Sequence, residues 1–498
     1  MRFDLLPHAP VIVPLAFLVG AMLAVLGTLF RPRWAQPLAV AVSAFATLVA
    51  AGGLVHVLAE GTIRYQLAGW RPPLGIELVM DPLSAFLTLL MAGVGLLVLI
   101  HSRPIVPREL PGRETAFYAA SLLLLGGLCG LVLTGDLFNL YVFIEIVSLS
   151  SYALLGIGSK RAPFSAFRYL VMGTTAGSLY LLGLACIYMR TGTLNMADFA
   201  AIVPEVADQV PVQIGVVLLL TGLALKSALF PLHGWLPDAY TDGGSTATAL
   251  IAPIGTKAAL YAMLRVTYFL LGPALVADGA LVADVIAYLG AAGILWGSFL
   301  AMSQRELKRM LAYSSVAQVG YIALGIGLAS GYGFIGAVLH IVNHACMKAC
   351  LFLVSGNLRQ VVHHSYLPNI DSSVRRKMPW SMAAFSVAAV SMIGLPPTAG
   401  FFSKWYLALG TVEQGRWVLL ASLLISTLLN AVYFVRVFEQ IYLRPAREGA
   451  GGRPASGEAP LSMVVPTVVF AVLLLVLGVG NALLVDHLLL PMLGGGAS

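Results

Sequence analysis

Charge is what this chain has least of. Only 10% of its 498 residues are Asp, Glu, Lys or Arg, against about 25% in soluble domains. With 59% hydrophobic residues and a mean hydropathy of +0.90, no soluble core could bury the apolar surface, so the surrounding solvent has to be lipid. Cysteine is also scarce. Cys129, Cys186, Cys346 and Cys350 all lie in apolar runs and form no CxxC, which leaves no disulfide framework or haem attachment. Cys346 and Cys350 share a helix face at i, i+4 but lack the two further ligands zinc needs. Long polar segments are missing as well. The longest, Arg444 to Ala459, is rich in Gly, Pro and Ser and reads as a connector. The residues after Pro491 read as a frayed end. No flavin, NAD, Fe–S or quinone motif is present, so no cofactor is expected. The first apolar run, Val11 to Phe30, is too long for a signal-peptide core and has no small-residue cleavage site, so it reads as a spanning helix.

What the chain has is helices of membrane length. A span needs about 20 apolar residues. Fourteen windows qualify, near 10–30, 37–58, 79–101, 115–134, 137–157, 164–189, 212–230, 245–270, 281–302, 309–330, 332–356, 380–405, 416–438 and 462–485. The net charge of +7 does not point to nucleic acid, because the basic residues are scattered over short loops between apolar runs. That is the signature of membrane topology. Of 29 Lys and Arg residues, nineteen fall in the odd-numbered loops and six at the N-terminus or in the even-numbered loops. The positive-inside bias then predicts a multi-pass protein of a bacterial inner (plasma) membrane with both termini outside. Lys226, Lys257, Lys348 and Lys404 are left over, and all four sit within predicted helices.

Those four are the informative residues. A lysine at the centre of a span costs about 2.5–3.5 kcal/mol on insertion scales, and lysine, unlike arginine, can give up its proton when buried. Four such amines suggest proton handling. The bland alternative, snorkelling to the interface, suits Lys404 best because it lies near a helix end. Two helices are also interrupted by proline beside a lysine. One carries Lys226 ahead of Pro231 and Pro237, the other Pro396 and Pro397 ahead of Lys404. Breaks at matching places in two halves point to an inverted internal repeat, although each alone could be an ordinary proline kink.

Glu145 lies nine residues after Asp136, roughly 13 Å deeper along a helix. An unpaired carboxylate there takes up a proton. Pairing with Lys226 would hold both groups charged, either for transport or as a structural ion pair. His340, His344 and Lys348 follow at i, i+4, i+8 and share one helix stripe. Histidine titrates nearest neutrality, which suits a relay. Interhelical hydrogen bonds are the alternative, and with no carboxylate nearby in the sequence no metal is expected. Lys257, after Pro253, could join the first lysine to this stripe. Asp136, His233 and Asp238 are candidates for access or gating, with loop-edge or capping roles as alternatives.

The blocks GDLFNLYVFIEIVSLSSY (Gly135 to Tyr152), KSALFPLHGWLPDAY, SQRELKRMLAYSSVAQVG, HIVNHACMKACLF and LPPTAGFFSKWYL resemble the antiporter-like membrane subunits of respiratory complex I, membrane-bound hydrogenases and Mrp-type multisubunit Na+/H+ antiporters, most closely the D-type subunits of the Mrp group. The resemblance implies an all-α fold of fourteen helices with helices 4–8 and 9–13 as inverted repeats and helices 7 and 12 broken. It implies four segments: 1–110, 111–270 (first repeat), 271–440 (second repeat) and 441–498 (connector and last helix). Carried over by position, it implies Glu145 and Lys226 as a charged pair, Lys257, His340, His344 and Lys348 as a central relay, and Lys404 as the terminal group. Some relatives carry glutamate at that last place. The chain ends soon after helix fourteen, without the long lateral helix of the largest complex I relative. The expected partners are other membrane subunits, the lipid bilayer, H+ and possible Na+ or K+, with any redox chemistry in companion subunits.

Overall fold

The computed structural model describes residues 5–30, 32–158, 161–272, 280–446 and 457–494. Apolar runs of 18 to 31 residues become long helices, because in lipid each segment has to satisfy its own backbone hydrogen bonds. In chain order these are α1 (Ala9–Phe30), α2 (Ala35–Glu60), α3 (Pro82–His101), α4 (Glu114–Leu133), α5 (Leu137–Gly156), α6 (Ala162–Thr191) and α7a (Val210–Ser227) with α7b (Leu236–Asp242). They continue with α8 (Ser245–Leu264), α9 (Ala280–Ser303), α10 (Leu307–Gly327), α11 (Gly331–Val361), α12a (Pro379–Ile393) with α12b (Ala399–Glu413), α13 (Trp417–Phe438) and α14 (Leu461–Val479). Among the described residues, thirteen are long and apolar enough to cross a membrane singly. The two halves of α12 supply the fourteenth crossing, so the chain is a multi-pass membrane protein.

Two five-helix units, α4–α8 and α9–α13, follow three leading helices. Five is odd, so each unit starts on the opposite side of the membrane from the other and the repeats are inverted. In both, the fourth helix is the broken one. α7a ends at Ala228 in the left-handed region (φ 60), and Pro231 and Pro237 prevent the helix from running on. α12a ends at Gly394 (φ 91) ahead of the Pro396–Pro397 pair. Adjacent helices approach closely where glycines face each other. A Cβ on Gly183 of α6 would lie 2.5 Å from the Gly215 carbonyl oxygen of α7a, and one on Gly290 of α9 would lie 2.7 Å from the Gly320 oxygen of α10.

Enclosure is uneven. The most apolar window of α11 is wholly buried and those of α8 and α10 are 94% buried, against 28% for α2. α8, α10 and α11 therefore form the inner layer, screened from lipid by the other helices.

The expected all-α fold holds with one exception in a loop. Between α2 and α3, β1 (Ile63–Gln66) pairs antiparallel with β2 (Glu77–Met80), Ile63 opposite Met80. Its half-buried alternation is too short to stand out from the flanking spans. Between α6 and α7a, a helix over Met196–Val206 is capped by the Asn195 side chain. The connector expected from Arg444 to Ala459 lies outside the described residues over 447–456, as do residues 495–498 of the expected frayed end.

Candidate functional site: a buried row of amines

Asp136 is the N-cap of α5, its Oδ1 accepting the Asn139 amide at 2.7 Å. A buried capping role accounts for it in the resting arrangement. Two and a half turns further in, Glu145 meets Lys226, which α7a carries in its last turn. Lys226 Nζ donates to Glu145 Oε1 at 3.2 Å and to Ser148 Oγ at 2.5 Å. The lysine side chain is 7% exposed and the glutamate 26%, so the carboxylate lies nearer the flank of the bundle. Room for it comes from α6, where a Cβ on Gly177 would stand 2.4 Å from Glu145 Oε1.

The inner helices carry the next four groups. Lys257 is fully buried on α8 and donates to the Ala252 carbonyl (2.6 Å) and Thr256 Oγ1 (3.2 Å). Lys348 on α11 donates to the Leu311 carbonyl (2.7 Å) and Ser314 Oγ (2.5 Å), both on α10. His340 lies between Gln318 Oε1, 2.8 Å from Nε2, and Ser403 Oγ, 2.9 Å from Nδ1. A neutral ring that donates from Nε2 can accept the serine proton at Nδ1. The rings of His340 and His344 are 6.1 Å apart. His344 is fully buried, and among the described residues neither of its ring nitrogens has a hydrogen-bond partner. Lys257 is within electrostatic reach of His340, His344 and Lys348. The single stripe expected on α11 therefore faces α8 on one side and α10 and α12b on the other.

Lys404, in the second turn of α12b, reaches back across the break. Its Nζ donates to the carbonyls of Met392 (2.9 Å) and Ile393 (3.0 Å), at the end of α12a. It also lies 4.8 Å from the centre of the Tyr321 ring, which is 5.2 Å from His340. It turns inward and does not snorkel. A positive group at the C-terminal carbonyls of a helix is favoured by the dipole.

These four lysines share a feature that composition could not reveal. Each makes two hydrogen bonds to protein groups. An ammonium has three N–H donors. Two protein partners match the two N–H groups of a neutral amine. Among the described residues, only Lys226 of the four has a carboxylate partner.

The access candidates behave differently from one another. His233, in the α7 break, stacks on Phe230 at 5.5 Å. Asp238, in the first turn of α7b, bonds Arg168 of α6 at 2.6 Å and Arg309 of α10 at 3.5 Å. It therefore ties the broken helix to both repeats. Sequence reasoning also misses several residues. Lys308 counts with the loops by its place in the chain but is 2% exposed, with Nζ bonded to the Gly243 carbonyl. Its position as the second residue of α10 gives no sign of burial. His101, at the end of α3, is 2.8 Å from Asn357 of α11. Arg265, one of the six basic residues counted at the N-terminus or in the even-numbered loops, is an inward group paired with Asp81 and with the Tyr261 hydroxyl. Among the described residues, no group of three or more His, Cys, Asp or Glu could hold a metal.

Comparison with known proteins places the chain in a family. A family model described as NADH:quinone oxidoreductase/Mrp antiporter, TM, matches residues 134–430. The chain is 44% identical over 496 residues to the N subunit of NADH-quinone oxidoreductase of Desulforudis audaxviator, covering 97% of both chains. It is 32% identical over 434 residues to the D subunit of the Na(+)/H(+) antiporter of Alkalihalophilus pseudofirmus, covering 86% of this chain and 85% of that one. Its fold matches a chain of the Mrp complex from Dietzia sp. DQ12-45-1b with a TM-score of 0.86 at 25% identity, over 97% of this chain and 96% of that one. A chain of the archaeal membrane-bound sulfane sulfur reductase matches with a TM-score of 0.88 at 28% identity over the same shares. The matched model spans both broken helices and every amine of the row, and a chain that shares so much of its length with such relatives belongs to the NADH:quinone oxidoreductase/Mrp antiporter membrane-subunit family.

Proposed function

We propose that this chain is a proton-translocating, antiporter-like subunit of a multisubunit membrane complex, most like the D subunit of Mrp-type cation/proton antiporters. Protons exchange along Glu145, Lys226, Lys257, His340, His344, Lys348 and Lys404. The supporting observation is the placement of lysines with two hydrogen-bond partners each on or against the three most enclosed helices, where a fixed charge would have no purpose to offset its desolvation. Proton uptake by Glu145 would release Lys226 from its only carboxylate and favour loss of the lysine proton to the central row. Asp136, His233 and Asp238 control access at the ends and at the α7 break.

The protein resides in a bacterial inner membrane with both termini outside. Residues 111–270 and 271–440 act as the two half-channels, 1–110 as their support, and 441–498 as connector and closing helix. Other membrane subunits are its partners, and Na+ or K+ is moved by the assembly.

A second reading is favoured by the 44% identity to an N subunit of NADH-quinone oxidoreductase. The same row would then serve a redox-driven pump, with the redox centres in companion subunits. Subunits that co-purify with the tagged chain separate the two. The shared claim is tested by proton transport in inverted vesicles carrying the intact complex. Lys226→Ala and Glu145→Gln should each lower the rate at least about tenfold, and wild-type rates in both would overturn it.

A further inference from the structure

A large cavity belongs to neither half of the amine row. It has a volume of about 780 Å3 and is lined among others by Glu109, Asp242, Glu306, Arg309, Arg359 and His364. Its walls come from the α7b–α8 turn, the α9–α10 loop and the chain after α11, where the two repeats meet. It opens on the side that carries most of the loop lysines and arginines.

Behind one wall lies Lys308. Its Nζ donates to the carbonyl of Gly243, a lining residue at the C-cap of α7b. The charged groups facing it are Arg359, Glu109, Glu306 and Asp242. Arg359 is itself engaged, 3.7 Å from Glu109 and 3.2 Å from the Ser245 hydroxyl. Lys308 thus has carboxylates on the cavity side and helix α10 on the other. One turn along α10 lies Leu311, whose carbonyl accepts from Lys348, and Ser314, whose hydroxyl does the same, follows three residues later. The rise from Lys308 to these residues is about 4.5 to 9 Å.

We propose that Lys308 is a further proton-exchanging group of the row, placed between the charged vestibule and Lys348. In the inward step the Lys308 ammonium gives one proton to the neutral amine of Lys348 along α10, and the resulting neutral Lys308 takes a proton from the vestibule. No electron or other group moves. The inference rests on the proton-transport reading above and adds an entry point to it. Arg309, next in sequence, holds Asp238 at the other end of α7b, so α10 grips both ends of this short helix and the vestibule wall stays in register with the row.

The test uses the intact complex in inverted vesicles. Lys308→Arg keeps the positive charge and a donor for the Gly243 carbonyl but cannot release its proton. It should lower proton transport at least about tenfold, as should Lys308→Met. A wild-type rate in Lys308→Arg overturns the inference and leaves Lys308 as a helix cap. If the Lys308 variants do not assemble, Thr241→Cys at the vestibule wall decides. A bulky, cationic, membrane-impermeant thiol reagent should cut its rate at least about fivefold relative to the same vesicles untreated, with treated wild type as control. An unchanged rate after complete modification overturns the inference. Lys226→Ala, run alongside, separates the two levels. If it too transports normally, the proton-transport reading has failed. If it alone is impaired, only the role of Lys308 has failed.

Discussion

The two broken helices hold their lysines by different means. Beside α7a, Lys226 is balanced by a carboxylate that can itself take a proton, with a serine hydroxyl as second partner. Beside α12b, Lys404 is balanced by two main-chain carbonyls and the face of Tyr321, which carry no titratable charge near neutrality. The first arrangement can be switched, because protonating Glu145 removes the counter-charge. The second is fixed, because the carbonyls of Met392 and Ile393 keep their dipoles at every pH. Two halves with the same backbone plan thus differ in how the lysine at the break is counter-charged, and the difference comes from one acidic side chain on α5.

The comparison breaks most sharply at Glu145. Glu145→Gln and Lys226→Met, measured singly and together as transport in vesicles, should each cost at least about tenfold. The double variant should cost no more than the worse single one, since the pair acts as a unit; additive losses would deny the coupling. Next comes Lys404→Gln, which keeps an N–H donor for the α12a carbonyls without the charge. It should lower transport about fivefold with normal assembly, and its loss should add to that of Glu145→Gln, because the two halves share no direct partner. A smaller effect is expected at Gly177→Ala, whose new Cβ would press on Glu145 Oε1. A displacement of the carboxylate worth about 1 kcal/mol lowers transport several-fold without changing the amount of assembled complex, whereas the equivalent change at Gly192, where a Cβ would meet nothing within 4 Å, should be read by stability alone. The smallest effects concern the breaks themselves. Gly394→Ala forces a side chain onto φ 91 and within 2.9 Å of Lys404 Cδ, a loss of about 1–2 kcal/mol in thermal unfolding. Ala228→Gly at φ 60 should leave stability unchanged or raise it.

Much of this plan is legible in the chain itself, for a physical reason. Lipid imposes a strong filter on composition, so a lysine such as Lys257 or Lys348 inside an apolar run announces itself, and the paired prolines 231, 237 and 396, 397 mark the breaks because each removes a backbone donor and disfavours the helical turn before it, whereas the single prolines 14, 253 and 466 stay inside α1, α8 and α14. What stays hidden is contact. Ser148, Ser314, Gln318 and Ser403 are ordinary residues whose importance comes from the lysine or histidine opposite. Gly177 matters for the atom it leaves out. Lys308 is misplaced when distance along the chain from a helix end is taken as a measure of depth, because the turns of neighbouring helices close over that end. Asp136, by contrast, caps α5, one of the roles that its place at a helix start already offers.

The uneven enclosure of the bundle has a consequence for how it is made. α11 presents no face to lipid, so its final surroundings do not exist while it is being threaded into the bilayer and α12 to α14 are still unsynthesised. Two imidazoles and a lysine amine have to wait in a provisional setting until later segments close around them. Biogenesis of this protein is therefore most vulnerable at its middle, and truncations after α11 should be cleared by membrane proteases faster than truncations after α3.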